Sequence, residues 1–207
     1  MMRNFIVLIF ILASVLGFSQ KFSKEEKELI LTGDLKTALP IYQTDNESQH
    51  KVLLAMSQEI SPKDKNLPIL IERMRLALAA TGGGVGIAAP QVGINRRVVL
   101  VQRFDKEGAP VEYFINPKIT WWSELLNKGP EGDLSIETFR GEFYRSYSIR
   151  LEYDDLENKK HDEMVEGFTA VIFQHEIDHL YGILISDKAE REKDLQYNDA
   201  KVYRKSK

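Results

Sequence analysis

The sequence predicts an α+β domain, on three observations. Two helical segments, residues 67–80 and 167–180, stand far apart in the chain. Between them lie segments rich in β-branched or alternating apolar residues at 96–104, 112–122 and 146–155. No internal repeat is visible, so the elements build one unit rather than an array. Strands bracketed by two helices fit an α+β layer arrangement.

The first 19 residues do not belong to that unit. MMRNFIVLIFILASVLGFSQ places Arg3 before an apolar run from Phe5 to Leu16. Gly17 and Ser19 then occupy the −3 and −1 places of a small-x-small cleavage site, with Gln20 as the new N-terminus. The run is too short for a comfortable membrane span. Residues 1–19 therefore read as a signal peptide, and the chain is expected to be exported, with no stable membrane span after cleavage. The next stretch, 20–56, is polar and mixed and reads as an N-terminal extension on the domain surface. Ser23, Lys24, Glu25 and Glu26 have capping-box spacing, so a short helix to about Leu31 is expected.

The domain proper is assigned to residues 57–190. LPILIERMRLALAA, 67–80, carries Pro68 in its first turn and an apolar stripe of Ile71, Met74 and Leu78. It ends in Thr81 followed by three glycines. RRVVLVQRF and EYFINPKITWW read as strands, and SYSIRLEYDD alternates Ile149, Leu151 and Tyr153. A turn at 157–160 precedes a further short strand. Gly167 to about Leu180 is a largely buried helix. Residues 191–207 are a charged tail.

With 207 residues, 43% hydrophobic and 29% charged, the chain can bury a substantial core. The formal net charge is −3 and the cations form no block, so no nucleic-acid partner is expected. There is no cysteine, hence no disulfide, and stability must come from packing. A monomer is expected.

FQHEIDHLYG contains H-E-x-x-H. His175 and His179 share one helix face and can grip one metal ion, with Glu176 placed to move a proton of bound water. Hydrolytic sites of this kind have three protein ligands and one open position. The third ligand is open at this point. The pattern H-E-x-x-H-x-x-G-x-x-H has its glycine in Gly182 but ends on Ile185, which cannot ligate. Downstream acids are Asp187, Glu190 and Asp199, within a stretch that also reads as a solvated helix. An upstream ligand is the other option.

TGGGVGIAAPQVG, 81–93, formally matches a dinucleotide fingerprint at Gly84, Gly86 and Ala89. A helix precedes it and Pro90 breaks any helix that should follow, so that match fails. Its glycines instead offer backbone that another chain can approach, and Gln91 is a neutral donor suited to polarising a carbonyl. The plain alternative is a tight turn into the strand at Arg96.

Three segments in order, GVGIAAPQ (84–91), EGDLS (131–135) and QHEIDHL (174–180), resemble the motifs of peptide deformylases. The resemblance covers about residues 60–190, including INPKI and RGEFYR. It implies an α+β fold in which antiparallel strands pack around a central H-E-x-x-H helix. It also implies metal-dependent removal of the formyl group from N-formylmethionyl peptides. The family has cysteine where this chain has Asp133, which makes Asp133 the third ligand beside His175 and His179. Aspartate binds through oxygen at about 2.0–2.2 Å, where a thiolate binds at about 2.3 Å. Such a two-His-one-carboxylate set suits Fe2+ or Zn2+, with Ni2+ or Mn2+ as further options.

By the same resemblance, Glu176 shuttles the proton, and Gln91 with the Leu134 N–H stabilises the oxyanion. Gly84, Val85 and Gly86 offer backbone to the substrate, and Val171 and Ile172 line a side-chain pocket or belong to the core. Arg140 and Arg145 match family arginines. Arg145 either supports Glu131 or forms a surface ion pair. Glu137 stands where the family usually has proline. Trp121 and Trp122 are contact area or core. An exported member needs formyl peptides or another small N-acyl amide as substrate. The alternative is a degenerate module that binds peptide or metal without turnover, or an envelope protein that keeps only the fold.

Overall fold

A computed structural model describes residues 21–192. The expected signal peptide, and the tail beyond residue 192, lie outside the described residues. Helix α1 (Lys24–Leu31) has the expected capping box: the Ser23 side chain accepts from the Glu26 N–H, and Glu26 accepts from the Ser23 N–H at 2.7 Å. A second short helix, α2 (Glu47–Leu53), starts on Asn46. Its sequence, ESQHKVL, has no apolar stripe to announce it. Helix α3 (Leu67–Ala80) has the predicted bounds and buries Ile71, Met74 and Leu78.

Five strands form one antiparallel sheet: β1 (Gly86–Ala88), β2 (Val98–Gln102), β3 (Val111–Trp122), β6 (Ser148–Asp154) and β7 (Lys160–Glu166), in the order β1-β2-β3-β6-β7. Between β3 and β6 in sequence, β4 (Leu126–Asp133) and β5 (Ile136–Ser146) make a separate two-stranded sheet. Helix α4 (Gly167–Leu180) follows β7 directly, and α5 (Ile185–Glu192) closes the described chain. The α+β class, with antiparallel strands around the H-E-x-x-H helix, is as expected.

The period-two geometry of β2 divides the core. Val98 and Leu100 join α3 and Ile87 in one cluster, while Val99 and Val101 join Phe173, Ile177 and Leu180 of α4 in the other. Both faces of β2 are therefore covered, which explains an unbroken run of apolar residues in an antiparallel strand.

The described part of the expected extension, residues 21–56, does more than lie on the surface. Phe22, Ile30 and Leu39 belong to the α3 cluster. The buried Arg73 guanidinium donates to the carbonyls of Ile30, Thr32 and Thr37, stitching this stretch to α3. Trp121 and Trp122 are 47% and 53% exposed and are not core. Among the described residues, no helix is long and apolar enough to cross a membrane.

Candidate active site

Three elements converge on the H-E-x-x-H face. Helix α4 contributes His175, Glu176 and His179, with the two imidazole centroids 5.1 Å apart. Gly167, at φ +64°, makes the abrupt turn from β7 into α4 that side-chain-bearing residues resist. Strand β4 ends on Asp133, where the hairpin register shifts after Gly132. Asp133 Oδ1 accepts from the Ser135 N–H at 2.8 Å, a turn aspartate readily makes with the backbone two residues on. A 3-10 turn, Ala89–Val92, carries Gln91. Its Oε1 accepts from the Ala88 N–H at 2.9 Å, and its Nε2 donates to Asp133 Oδ1 at 3.1 Å.

Asp133, His175 and His179 bring one ligand atom each to within 4.8 Å of one another. Asp133 Oδ2 lies 3.5 Å from His179 Nε2. Both atoms are buried and neither has a hydrogen-bond partner. Leaving such groups buried and unpaired costs several kcal/mol, on the order of the polar transfer penalty. A divalent cation satisfies both at once, so the residues fit a metal, and the O,N,N donor set is one that zinc, iron(II), manganese or nickel accepts. Of the acids the sequence left open, Asp133 is the one the described structure brings to the two histidines. Asp187 instead accepts from the Leu184 N–H at the start of α5. The Glu190 side chain and Asp199 lie outside the described residues.

A supporting layer stands behind Asp133, His175 and His179. Glu131 Oε2 pairs with His175 Nδ1 at 3.0 Å, which leaves Nε2 to face the cluster. Arg145 grips both Glu131 oxygens at 2.8 Å and reaches Asp178. Its side chain is only 4% exposed, so the surface ion pair allowed by the sequence is instead a buried one. Breaking such a pair from one side costs about 3–5 kcal/mol, because a buried charge is left alone.

The electrostatics follow from burial. It is the main cause that pushes Glu176 up to about 8, with Asp133 and Glu131 adding to it and His175 opposing. Burial also brings His179 down to about 4, so it is a neutral imidazole, the form that ligates. For His175 burial acts downward, but the Glu131 bond and the nearby carboxylates outweigh it and raise it to about 9. Burial alone would raise Glu131; Arg145 and His175 bring it down to about 2. A bound dication would reverse the balance at His175 and Glu176, favouring the neutral imidazole and the ionised carboxylate.

A cleft of about 400 Å³ opens over this cluster. Gly84, Val85, Gly86, Gln91, Asp133, Leu134, Val171, Ile172, His175 and Glu176 all line it, so the predicted site residues are brought together. His179 stands behind them at 1% exposure. Ile172 lines the cleft and also belongs to the α4 core cluster. The Leu134 carbonyl accepts from Gln43 Nε2 at 3.0 Å, which anchors the loop after Asp133. Sequence reasoning missed Phe168 and Pro130, which also line the cleft. Phe168 had a signal: positions 168, 171, 172 and 175 recur at helical spacing on one face.

The polypeptide deformylase family model matches residues 40–195. A peptide deformylase of Leptospira biflexa is 35% identical over 174 residues, covering 80% of this chain and 91% of the relative. Among solved structures, a probable peptide deformylase from Synechococcus phage S-SSM7 is similar at a TM-score of 0.66 and 36% identity, covering 72% of this chain and 99% of that one. A Met-Ala-Ser-bound class I type b peptide deformylase from Acinetobacter baumannii is similar at a TM-score of 0.64 and 31% identity, covering 72% and 98%.

Proposed function

This chain belongs to the polypeptide deformylase family, and from that premise we propose that it removes the formyl group from N-formylmethionyl peptides or a related small N-acyl amide, using Asp133 as a metal ligand. One observation carries the reading. Asp133 Oδ2, His179 Nε2 and Glu176 Oε2 are buried polar atoms without hydrogen-bond partners; Asp133 and His179 belong to the ligand cluster, and Glu176 lines the cleft over it. A divalent metal held by Asp133, His175 and His179, most simply Fe2+ or Zn2+, would supply the Lewis acidity that makes water a nucleophile near neutral pH.

The remaining work falls to the chain itself. Strand β1 is at the sheet edge, paired among strands only with β2; Gln91 Oε1 takes its Ala88 N–H, and the Gly84–Gly86 end that lines the cleft can take an extended peptide as an added strand. That places the acyl amide over Glu176. Glu176 takes a proton from the attacking water and delivers one to the leaving amine. The Gln91 side chain and the Leu134 N–H, from two residues that line the cleft, serve as donors to the charge that develops on the amide oxygen. Gly86 lets this happen at close range. A Cβ there would lie 2.3 Å from Glu176 Oε1 and 2.8 Å from Ile172 Cγ2. Gly86→Ala is therefore expected to displace the carboxylate and lower kcat/KM by about 100-fold, with a lower melting temperature as well because the methyl also crowds Ile172. A variant within a few-fold of the parent would show that Glu176 does not act from this position.

Residues 1–19 lead us further to an exported chain that meets formyl peptides or other N-acyl compounds outside the cytoplasm. The test starts with the chain recovered from fractionated cells. Export expects it outside the cytoplasm beginning at Gln20; a cytoplasmic chain beginning at Met1 rejects export. Bound metal is then measured, and formate release from formyl-Met peptides is followed before and after dialysis against a chelator. Release that stops on chelation and returns with Fe2+ or Zn2+ is the expected result. Metal without turnover on any N-acyl substrate would support the degenerate binding module instead.

A further inference from the structure

The two oxygens of Asp133 have unequal surroundings. Oδ1 receives two N–H donors, the Ser135 backbone at 2.8 Å and Gln91 Nε2 at 3.1 Å. Oδ2 receives none and faces His179 Nε2 at 3.5 Å. The donors are themselves fixed. Gln91 is 1% exposed, with its Oε1 held by the Ala88 N–H, and Ser135 is fully buried.

A carboxylate can offer a metal one oxygen or two, whereas a thiolate has a single sulfur to give. An open position for substrate requires that three protein ligands take three coordination places and no more. A second carboxylate oxygen would compete for the fourth.

We propose that Gln91, together with the Ser135 N–H, is a positioning residue that ties up Asp133 Oδ1 and makes Asp133 a one-oxygen ligand, so that an aspartate can stand where a single-atom donor is needed. This rests on the metal-site reading above and adds a role for Gln91 beside that of an oxyanion donor. The Nε2 group has a hydrogen for each task. One is committed to Asp133 Oδ1. The other meets only Ser135 Oγ, at a long 3.4 Å, and is readily given up to a substrate oxygen.

The test is a double-mutant cycle on the apo protein, read with Co2+. Gln91→Met removes both amide hydrogens at similar length, and Gln91→Asn is a gentler second variant that withdraws the amide by one methylene. Each is made in the native chain and in Asp133→Cys. Co2+ affinity is measured by competition with a chromophoric chelator. The visible bands of bound Co2+, which weaken as coordination number rises, report how many atoms ligate.

In the native background we expect affinity to fall about 10–100-fold, the usual cost of losing a partner behind a ligand, with weaker bands as Oδ1 joins the metal. In the Cys background the same Gln91 changes should have little effect, because sulfur has no second atom to restrain. Equal losses in both backgrounds, or none in the native one, would overturn the proposal. A parent chain that takes up no Co2+ would overturn the metal site along with it. Gln91-dependent Co2+ binding without formate release would leave the proposal standing and remove only the deformylase activity.

Discussion

Glu176→Gln lowers formate release by about 10²–10⁴-fold and leaves bound metal unchanged, the range that a positioned proton carrier contributes. The structure sets up a clean comparison. Glu176 is 4% exposed and its Oε2 has no hydrogen-bond partner, so nothing structural is lost when that oxygen becomes an amide nitrogen. Glutamine has the same length and shape, so the packing against Gly86 and Ile172 is kept. Only the capacity to accept and return a proton disappears. Glu176 is also not one of the three residues whose ligand atoms cluster, which is why metal content should hold. The measurement is kcat/KM for formyl-Met peptides beside metal content and a melting curve. A variant that keeps most of its turnover would move the proton transfer to another group. A variant that loses its metal would make Glu176 a ligand instead.

The parts legible in the sequence were those whose physics is local. The bounds of α3 and α4 follow from periodicity and from the glycine, proline and threonine residues at their ends, and both helices fall where those signals place them. The β4–β5 hairpin was invisible because Gly129, Pro130, Gly132 and Gly141 read as breakers. In a two-stranded sheet every strand is an edge, so proline costs no ladder bond facing outward, and α4 and α5 supply the packing that propensity does not. The same hairpin explains why the third ligand could not be chosen from spacing within FQHEIDHLYG. Asp133 reaches the histidines only because β4 ends, and its register shifts, beside α4. Motifs named Gln91 as an oxyanion donor and left Arg145 open between supporting Glu131 and a surface ion pair. That Gln91 holds Asp133, and that Arg145 is buried on Glu131 rather than paired at the surface, are consequences of three segments meeting, which no local pattern encodes.

Asp133→Cys should retain its metal yet acquire a sensitivity to peroxide that the parent lacks. Sulfur can take the place of Oδ2, since the position faces His179 Nε2 and is fully buried at the side chain. The ligand change is about 0.1–0.3 Å in bond length, which the end of a hairpin can absorb. What changes is redox chemistry. A thiolate climbs from sulfenic to sulfinic and sulfonic acid under peroxide, and the later steps are irreversible. A carboxylate has no such ladder, and this chain contains no other cysteine to react. Parent and variant, both metal-loaded, are exposed to the same peroxide for the same time, and metal content and formate release are followed together. The expected outcome is near-complete loss of both in the variant and retention of both in the parent. Mass spectrometry should place the added oxygen on residue 133. If the variant resists as well as the parent does, protection comes from the closed surroundings of the site and the aspartate has no redox role. If the parent is lost too, its sensitivity lies in oxidation of the metal itself, as Fe2+ would allow, and the zinc-loaded parent should then survive. An aspartate ligand is an advantage where oxidants are abundant and thiols are not kept reduced, which is the environment that the export proposed from residues 1–19 would bring.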